Sequence, residues 1–396
     1  MTQGALEGLI VLDLTEGVAG PFCTKLMADY GAEVIKVERP RLGDWARQRG
    51  PFFQDIPGPE RSLVFAYLNT NKRSVTLNLD SAFGQEAVRK LCRTADVLVE
   101  SHVPGYLDER GLAPQTLRQD NPRLVVTSLS LFDRQGPYAH WKGAELNLYA
   151  MSGLMSLVGG IGRPPLKAGS YQAQYMAGLQ ACAYTLFATY RAQTTNEGCW
   201  VDTSVIQTGG KILAHIRDQE ARQTASRDRE EERERQNGVI PCGKGYASVT
   251  LYYHMLPALA ELLGDPSIAK DVRPSSGGLA ENQQELRAAV AERFMTLTAD
   301  EAQTEGQKRR LLVTKVHSTR DLLESPHLQA RGSFVEVTHP EIGPARQPGP
   351  PFRLTASPAA SPRAAPKLGE ANQEVLCERL GHSREDLPRL WAAGAI

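Results

Sequence analysis

LIVLDLTEGVAGPFCTKLMADYGAEVIKVE, residues 9–38, is the stretch that decides the fold. LIVLDL (9–14) is a short apolar run of strand length, TEGVAGP (15–21) is a glycine-containing loop, and FCTKLMADYG (22–31) carries helical spacing and closes on glycine. EVIKVE (33–38) is a second apolar run. Two strands joined through a helix must lie parallel, because the crossover brings the chain back to the same end of the sheet.

The same rhythm continues outward. SVTLNL (74–79), DVLVES (96–101) and LVVTSLS (124–130) read as further strands, with a helix over 82–94. Runs such as VLVE and LVVT, apolar on both alternating faces, suit strands buried on both faces. The predicted class is therefore α/β, a Rossmann-like large domain with a parallel sheet. A long helix is expected over about 174–192, followed by CWVDTSV (199–205) as a strand or the entry to another helix. SRDREEERERQNG (226–238) pairs opposite charges at i,i+4 and reads as a solvated helix or linker. YASVTLYYHMLPALAELLG (246–264) and ENQQELRAAVAERFMTLTADEAQ (281–303) predict a smaller α+β domain. From about 333 the chain is rich in Pro, Gly and Ser and reads as an extended strap, closed by an amphipathic helix at 370–381. The expected division is a first part of the large domain at 1–215, a charged linker at 216–238, a small domain at 239–330, and a strap and helix returning to the large domain at 331–396.

Composition removes several classes of function. Forty-five basic residues balance 45 acidic ones, which leaves no electrostatic footprint for nucleic acid or an anionic membrane. No apolar run reaches membrane-span length, and the first residues lack a basic and then apolar leader. Six cysteines lie far apart with no CxxC, as expected of reduced thiols in a cytoplasmic protein. GxSxG, HExxH and EF-hand spacings are missing, and eight scattered histidines give no metal pattern. TEGVAGP is not GxGxxG, so a nicotinamide cofactor is not expected, although the helix that follows could face an anion with its free N–H groups. Lys36, Arg39, Lys72, Arg73 and Lys142 recur beside the strands, a set that a ligand with several phosphates would need.

One loop carries the chemical question. PPLKAGSYQAQYMAGLQA (164–181) leads from small residues into the long helix and could present a side chain to a ligand, yet it contains no acid. Spacing alone stops at an α/β protein that binds a small phosphorylated molecule.

The blocks GLIVLDLTEGVAGPFCTKLMADYGAEVIKVERP (8–40) with GDWAR after it, LNTNKRSVTLNL (68–79), ADVLVESHVPGYLDERGL (95–112), NPRLVVTSLSLFDRQGPY (121–138), GCWVDTSV (198–205), ESPHLQARGSFVEVTHPEIG (324–343) and APKLGEANQEVLCERLG (365–381) resemble, in order, the class III CoA-transferase family, the CaiB/BaiF group. The resemblance implies a large domain built from both ends of the chain and two chains threaded as interlocked rings. It implies coenzyme A or acyl-CoA as substrate, a carboxylic acid as the other reactant, and no permanently bound cofactor. Carried over by motif, Arg39 and Lys142 contact CoA phosphates; Leu77, Asn78, Leu79 and Asp80, with Ser101, His102 and Val103, line the adenosine side; Val18 lies near the thioester.

In such enzymes an aspartate before the long helix attacks the acyl-CoA. It forms a mixed anhydride and then an aspartyl-CoA thioester, and the incoming acid reverses the sequence. Here Gln174 falls at the aspartate, and a neutral amide is no nucleophile by that route. The racemase branch uses a histidine where this chain has Ala144, and an aspartate that again falls on Gln174. Val18 stands where relatives often carry a side-chain amide, and Glu109, with Arg110 beside it, where an arginine is usual. Three expectations follow. The chain is a subunit of a heteromeric transferase whose aspartate-bearing partner supplies the nucleophile, like the transferases of toluene degradation; or it is a stand-alone isomerase- or lyase-type enzyme using Glu145, with Gln174 donating to an oxyanion; or it is a non-catalytic CoA-ester binding protein. Homodimer and heteromer are both compatible with these readings.

Overall fold

The structure, a computed structural model, describes residues 4–158, 164–212, 238–270 and 283–396. The chain divides into two compact units: 1–159, 165–218 and 331–396 form the larger, 160–164 and 219–330 the smaller. All but the last residue of the charged run at 226–238 lies outside the described residues.

In the larger unit, β1 (Ile10–Leu14), β2 (Glu33–Glu38), β3 (Arg73–Thr76), β4 (Val97–Glu100), β5 (Val125–Ser130) and β6 (Trp200–Ser204) form one parallel sheet in the order β3-β2-β1-β4-β5-β6. Every residue of β4 and β5 is buried, as helices on both faces require. Val11, Val97, Val99 and Val125 face one core with α1 (Ala19–Asp29) and α6 (Gln172–Thr195). Leu12, Ile35, Val75, Leu98 and Val126 face the other, with α3 (Ala82–Cys92). Between α1 and α3 lies α2 (Leu63–Leu68), and α4 (Pro114–Asp120) leads into β5. Ser81 caps α3 by accepting from Gly84 N at 3.1 Å, which stops the preceding chain from continuing as strand.

The structure departs from the sequence expectation at four places. Helix α1 begins at Ala19, three residues before the predicted start. Strand β3 ends at Thr76, because Leu77 and Leu79 turn into the core while Asn78 N donates to Ala395 O and Asn78 Nδ2 to Gly394 O near the chain's C-terminus. The strap opens as an antiparallel hairpin, β10 (Phe334–His339) with β11 (Gly343–Pro348). The closing segment at 370–381 is a π-helical turn, Glu374–Arg379, and a further helix follows at Asp386–Ala392.

Helix α6 packs on α1 through Ala173, Ala177, Ala181 and Gly178. A Cβ on Gly178 would lie 2.4 Å from Ala19 O, so the helices cross in contact at that point. Gly178→Val is expected to lower stability by about 1–3 kcal/mol, read from urea unfolding, because the α1 backbone cannot yield. A loss within error would show that the crossing has slack.

The smaller unit has an antiparallel sheet of β7 (Val239–Pro241), β8 (Tyr246–Thr250) and β9 (Leu312–Lys315), with helices Leu256–Leu263, Gln283–Phe294 and Ala299–Lys308. Ile240, Val249, Leu259, Val290 and Phe294 fill its core. All six cysteines are free thiols.

Candidate active site

In an open parallel sheet, ligands bind beyond the carboxyl ends of the strands, where the order reverses. Here the reversal falls between β1 and β4. A cleft of about 960 Å³ opens at that place. It is lined by Glu16, Ala19 and Gly20 after β1, Trp45 and Arg49 after β2, Ser101, His102, Val103 and Tyr106 after β4, and Leu129 and Leu131 at the end of β5. Its far wall is Gly143 to Leu146 with Leu148, plus Lys167, Ser170, Tyr171 and Gln174.

The floor is the β1–α1 loop, which a buried charge network holds. Asp13 on β1 is fully buried and takes Lys72 Nζ at 2.9 Å, with Thr24 Oγ1 at 2.7 Å. The parallel register sets Lys36 opposite Asp13. Lys36 Nζ bonds Asp44 at 2.9 Å and donates to Thr15 O at 2.8 Å. Asp44 Oδ1 in turn accepts from Gly17 N at 2.8 Å. Gly17 has φ of 86°, and a Cβ there would sit 2.1 Å from the Trp45 ring. A side chain at that position would therefore be both strained and blocked. Burial alone would raise the Asp13 carboxyl, but Lys36, Lys72 and the two threonine hydroxyls hold it well below the usual carboxylate range. Burial pulls Lys72 down to about 8, with Lys36 adding to the fall against Asp13. Burial also opposes the charge on Lys36, yet three acids, Asp13, Asp44 and Glu38, outweigh it and raise that ammonium.

This network overturns part of the expected phosphate set. Lys36 and Lys72 are buried ion-pair members, not ligand contacts, and Arg73 is committed to Glu33 and Glu374. Arg39 is half exposed at the cleft rim, its Nε 2.8 Å from Glu16. Lys142 is exposed and precedes the lining residue Gly143.

Of the other sequence-derived residues, Ser101, His102, Val103, Glu145 and Gln174 come together in the cleft. Val18 is fully buried at the start of α1, behind Ala19. Leu77 and Leu79 are core residues, and Asp80 pairs with Arg110. The Arg110 guanidinium lies 3.6 Å from the centroid of the Tyr106 ring, and Tyr106 stacks on His102 at 4.5 Å. Sequence reading missed Glu16, Trp45, Arg49, Tyr106 and Lys167. Their signal is position: Glu16, Trp45, Arg49 and Tyr106 follow carboxyl ends of strands.

The far wall shows what Glu145 and Gln174 do. Glu145 opens α5 (Glu145–Met151), and its carboxylate reaches the start of α6. Oε1 accepts from Ala173 N at 2.8 Å, and Oε2 accepts from Gln174 N at 3.4 Å and from Gln174 Nε2 at 3.3 Å. One acid thus caps α6 while sitting at the positive end of α5. Ser170, at φ of 61°, makes the turn into α6. By contrast α1 has no side-chain cap, and its first residues, Ala19 and Gly20, line the cleft, where their unpaired N–H groups can meet an oxyanion or phosphate. Among the described residues no group of acids, histidines and cysteines could hold a metal, and no helix is long and apolar enough to cross a membrane.

Known proteins share this architecture. The crystal structure of a CAIB/BAIF family protein from Brucella suis superposes with a TM-score of 0.82 and 27% identity, over 96% of this chain and 100% of that one. Succinyl-CoA:(R)-benzylsuccinate CoA-transferase subunit BbsE of Thauera aromatica is 33% identical over 98% of this chain and 97% of its own length. Formyl-CoA:oxalate CoA-transferase of Streptomyces coelicolor is 31% identical over the full length of both. The model of CoA-transferase family III matches residues 6–372. A six-stranded parallel sheet with its cleft at the strand reversal, and likeness along the whole chain to transferases of CoA, lead to one conclusion: this protein belongs to CoA-transferase family III.

Proposed function

We propose that the chain exchanges CoA between an acyl-CoA and a carboxylic acid as the aspartate-lacking subunit of a heteromeric transferase. The observation that carries this reading is Gln174, a buried carboxamide in the cleft wall whose amide is tied to Glu145. The only other acid lining the cleft among the described residues, Glu16, is paired with Arg39 at the rim. Glu145 spends its lone pairs on two backbone N–H groups and one amide, which makes it a positioning acid and a poor nucleophile. That geometry argues against the stand-alone chemistry through Glu145. The relative from Thauera aromatica is by its name one subunit of a transferase.

In this reading Arg39 and Lys142 meet the CoA phosphates, and Leu77 to Asp80 with Ser101 to Val103 border the adenosine. Val18 backs the thioester end. The accompanying organisation is a large domain from 1–215 and 331–396 with a smaller one at 239–330, in two chains threaded as interlocked rings. An apolar stripe supports a partner subunit: Leu179, Phe187 and Tyr190 stand 54%, 70% and 71% exposed along one side of α6. Of the acids in the names of these relatives, succinate, benzylsuccinate and oxalate carry two carboxyl groups and formate one, and we assign the dicarboxylic class to this chain.

The test is CoA exchange between an acyl-CoA and a free acid, with the pure chain alone and with an aspartate-bearing homologous subunit. Alone, the chain is expected to give less than about 10⁻³ of the mixed rate, the scale on which loss of a nucleophile is felt. Full turnover by a lone homo-oligomer would sink the heteromeric reading. Tight CoA-ester binding without turnover in any mixture would instead make the chain a binding protein.

A further inference from the structure

The cleft wall holds four charged side chains besides the histidine, and three are accounted for within the protein. Glu16 is paired with Arg39, itself at the rim. Glu145 caps α6. Lys167 Nζ donates to Ala168 O and Ser170 O. Arg49 is the exception. It lines the cleft, and among the described residues no carboxylate lies within ion-pair distance of its guanidinium.

Its backbone is nonetheless fixed. Arg49 N donates to Ala46 O at 3.1 Å, and Arg49 O accepts from Ser62 Oγ at 2.7 Å. The guanidinium lies 5.7 Å from the centroid of the Trp45 ring, and Trp45 is seated against Gly17 in the cleft floor. A cation on a braced mount, facing a ligand cleft and lacking an internal acid, is complementary to an anionic group brought by the ligand. A guanidinium presents a planar fork that fits a carboxylate with two parallel hydrogen bonds, which an ammonium cannot do.

We infer that Arg49 reads the second, non-reacting carboxylate of a dicarboxylic acyl group, and so selects monothioesters of dicarboxylic acids over those of monocarboxylic acids. The inference rests on the CoA-ester reading of the cleft. No covalent step is involved: Arg49 orients the acyl chain, and its own protons stay in place.

The test uses succinyl-CoA and butyryl-CoA, four-carbon esters that differ by a terminal carboxylate against a methyl, with CoA as the reference ligand. Binding to the full-length protein is measured calorimetrically, without turnover. The wild type is expected to hold succinyl-CoA about 10- to 100-fold more tightly than butyryl-CoA, the span of one charge-assisted hydrogen-bonded contact. Arg49→Gln should erase that preference with CoA affinity unchanged within twofold. Arg49→Lys should restore part of it, and Lys167→Gln should retain it. Equal binding of the two esters by the wild type, with CoA still bound, would overturn the inference and leave the CoA site standing. So would a preference that survives Arg49→Gln or disappears in Lys167→Gln. A fall in CoA affinity on Arg49→Gln would assign the guanidinium to CoA itself and overturn it likewise. Failure to bind CoA and both esters would remove the reading of the cleft and the inference together.

Discussion

Gln174→Asp is expected to give a chain that exchanges CoA by itself, at least about 10³-fold faster than the wild-type chain alone. The substitution supplies the missing group: a carboxylate whose oxygen attacks the thioester carbonyl, expels the CoA thiolate and leaves a mixed anhydride; the thiolate then attacks the aspartyl carbonyl, forming an enzyme-bound thioester and releasing the first acid as its carboxylate. The position suits it, at the start of α6 with the α1 N-terminus also in the wall. A carboxylate oxygen also takes the place of an amide that donates to Glu145 at 3.3 Å, so two acids would then face each other. Like charges raise the pKa of the introduced carboxyl. The exchange rate should therefore rise with pH to a plateau, one that a Gln174→Glu control, isosteric with the wild-type side chain but one methylene longer than aspartate, should match poorly in magnitude. The readout is formation of the second acyl-CoA by liquid chromatography, with labelled hydroxylamine trapping of the enzyme-bound ester. A Gln174→Asp chain that binds acyl-CoA yet forms neither product nor trapped ester would show that the site has lost more than its nucleophile.

How much of this was legible in the sequence depends on what kind of interaction fixed each part. Strands β1, β2, β4 and β5 were legible because burial on both faces favours consecutive apolar residues, and each carries such a run, IVL, VI, VLV and VV. The end of β3 was not, since Leu77 and Leu79 stay apolar after the ladder stops, and what stops it is contact with Gly394 and Ala395, more than 300 residues away. The roles of Lys36 and Lys72 failed for a related reason. A basic residue on a strand looks like a ligand contact until a register puts an acid beside it, and only the β1–β2 pairing sets Asp13 against Lys36. A clue did exist: an aspartate inside LIVLDL must be paired if the strand is buried. Gln174 and Glu145 were found through the family resemblance, but their hydrogen bond across two helix starts is a fact of the fold alone. Arg49 left no local pattern. Its interest comes from what does not surround it.

The second large effect concerns the charges under the cleft floor. Asp13→Asn is expected to cost about 3–5 kcal/mol, the scale for removing one partner from a buried ion pair. The reason lies in what remains. Lys72 keeps Pro21 O at 2.9 Å and Asn69 Oδ1 at 2.8 Å, both neutral, so an ammonium already pulled down to about 8 loses its one close anion. Thr15 and Thr24 lose a charged acceptor as well. Tryptophan fluorescence during urea unfolding is the proper probe, because all four tryptophans, 45, 141, 200 and 391, belong to the larger unit. The sign of the pH dependence follows from the same carboxyl. Its folded pKa is depressed, so its stabilisation is complete above about pH 4 and falls as the medium is acidified below that. Asp13→Asn should flatten the acid limb accordingly. The pairing of Asp13→Leu with Lys72→Met isolates the stranded Lys72 charge: the double variant should recover the share of the loss owed to that ammonium, leaving the share owed to the Thr15 and Thr24 donors, whereas either change alone should not. Because Lys36 and Asp44 extend the same network to Thr15 O and Gly17 N in the cleft floor, the single variant should also weaken CoA binding before it unfolds. A loss under about 1 kcal/mol, or a double variant no better than the singles, would mean that packing and not charge holds the floor of the cleft.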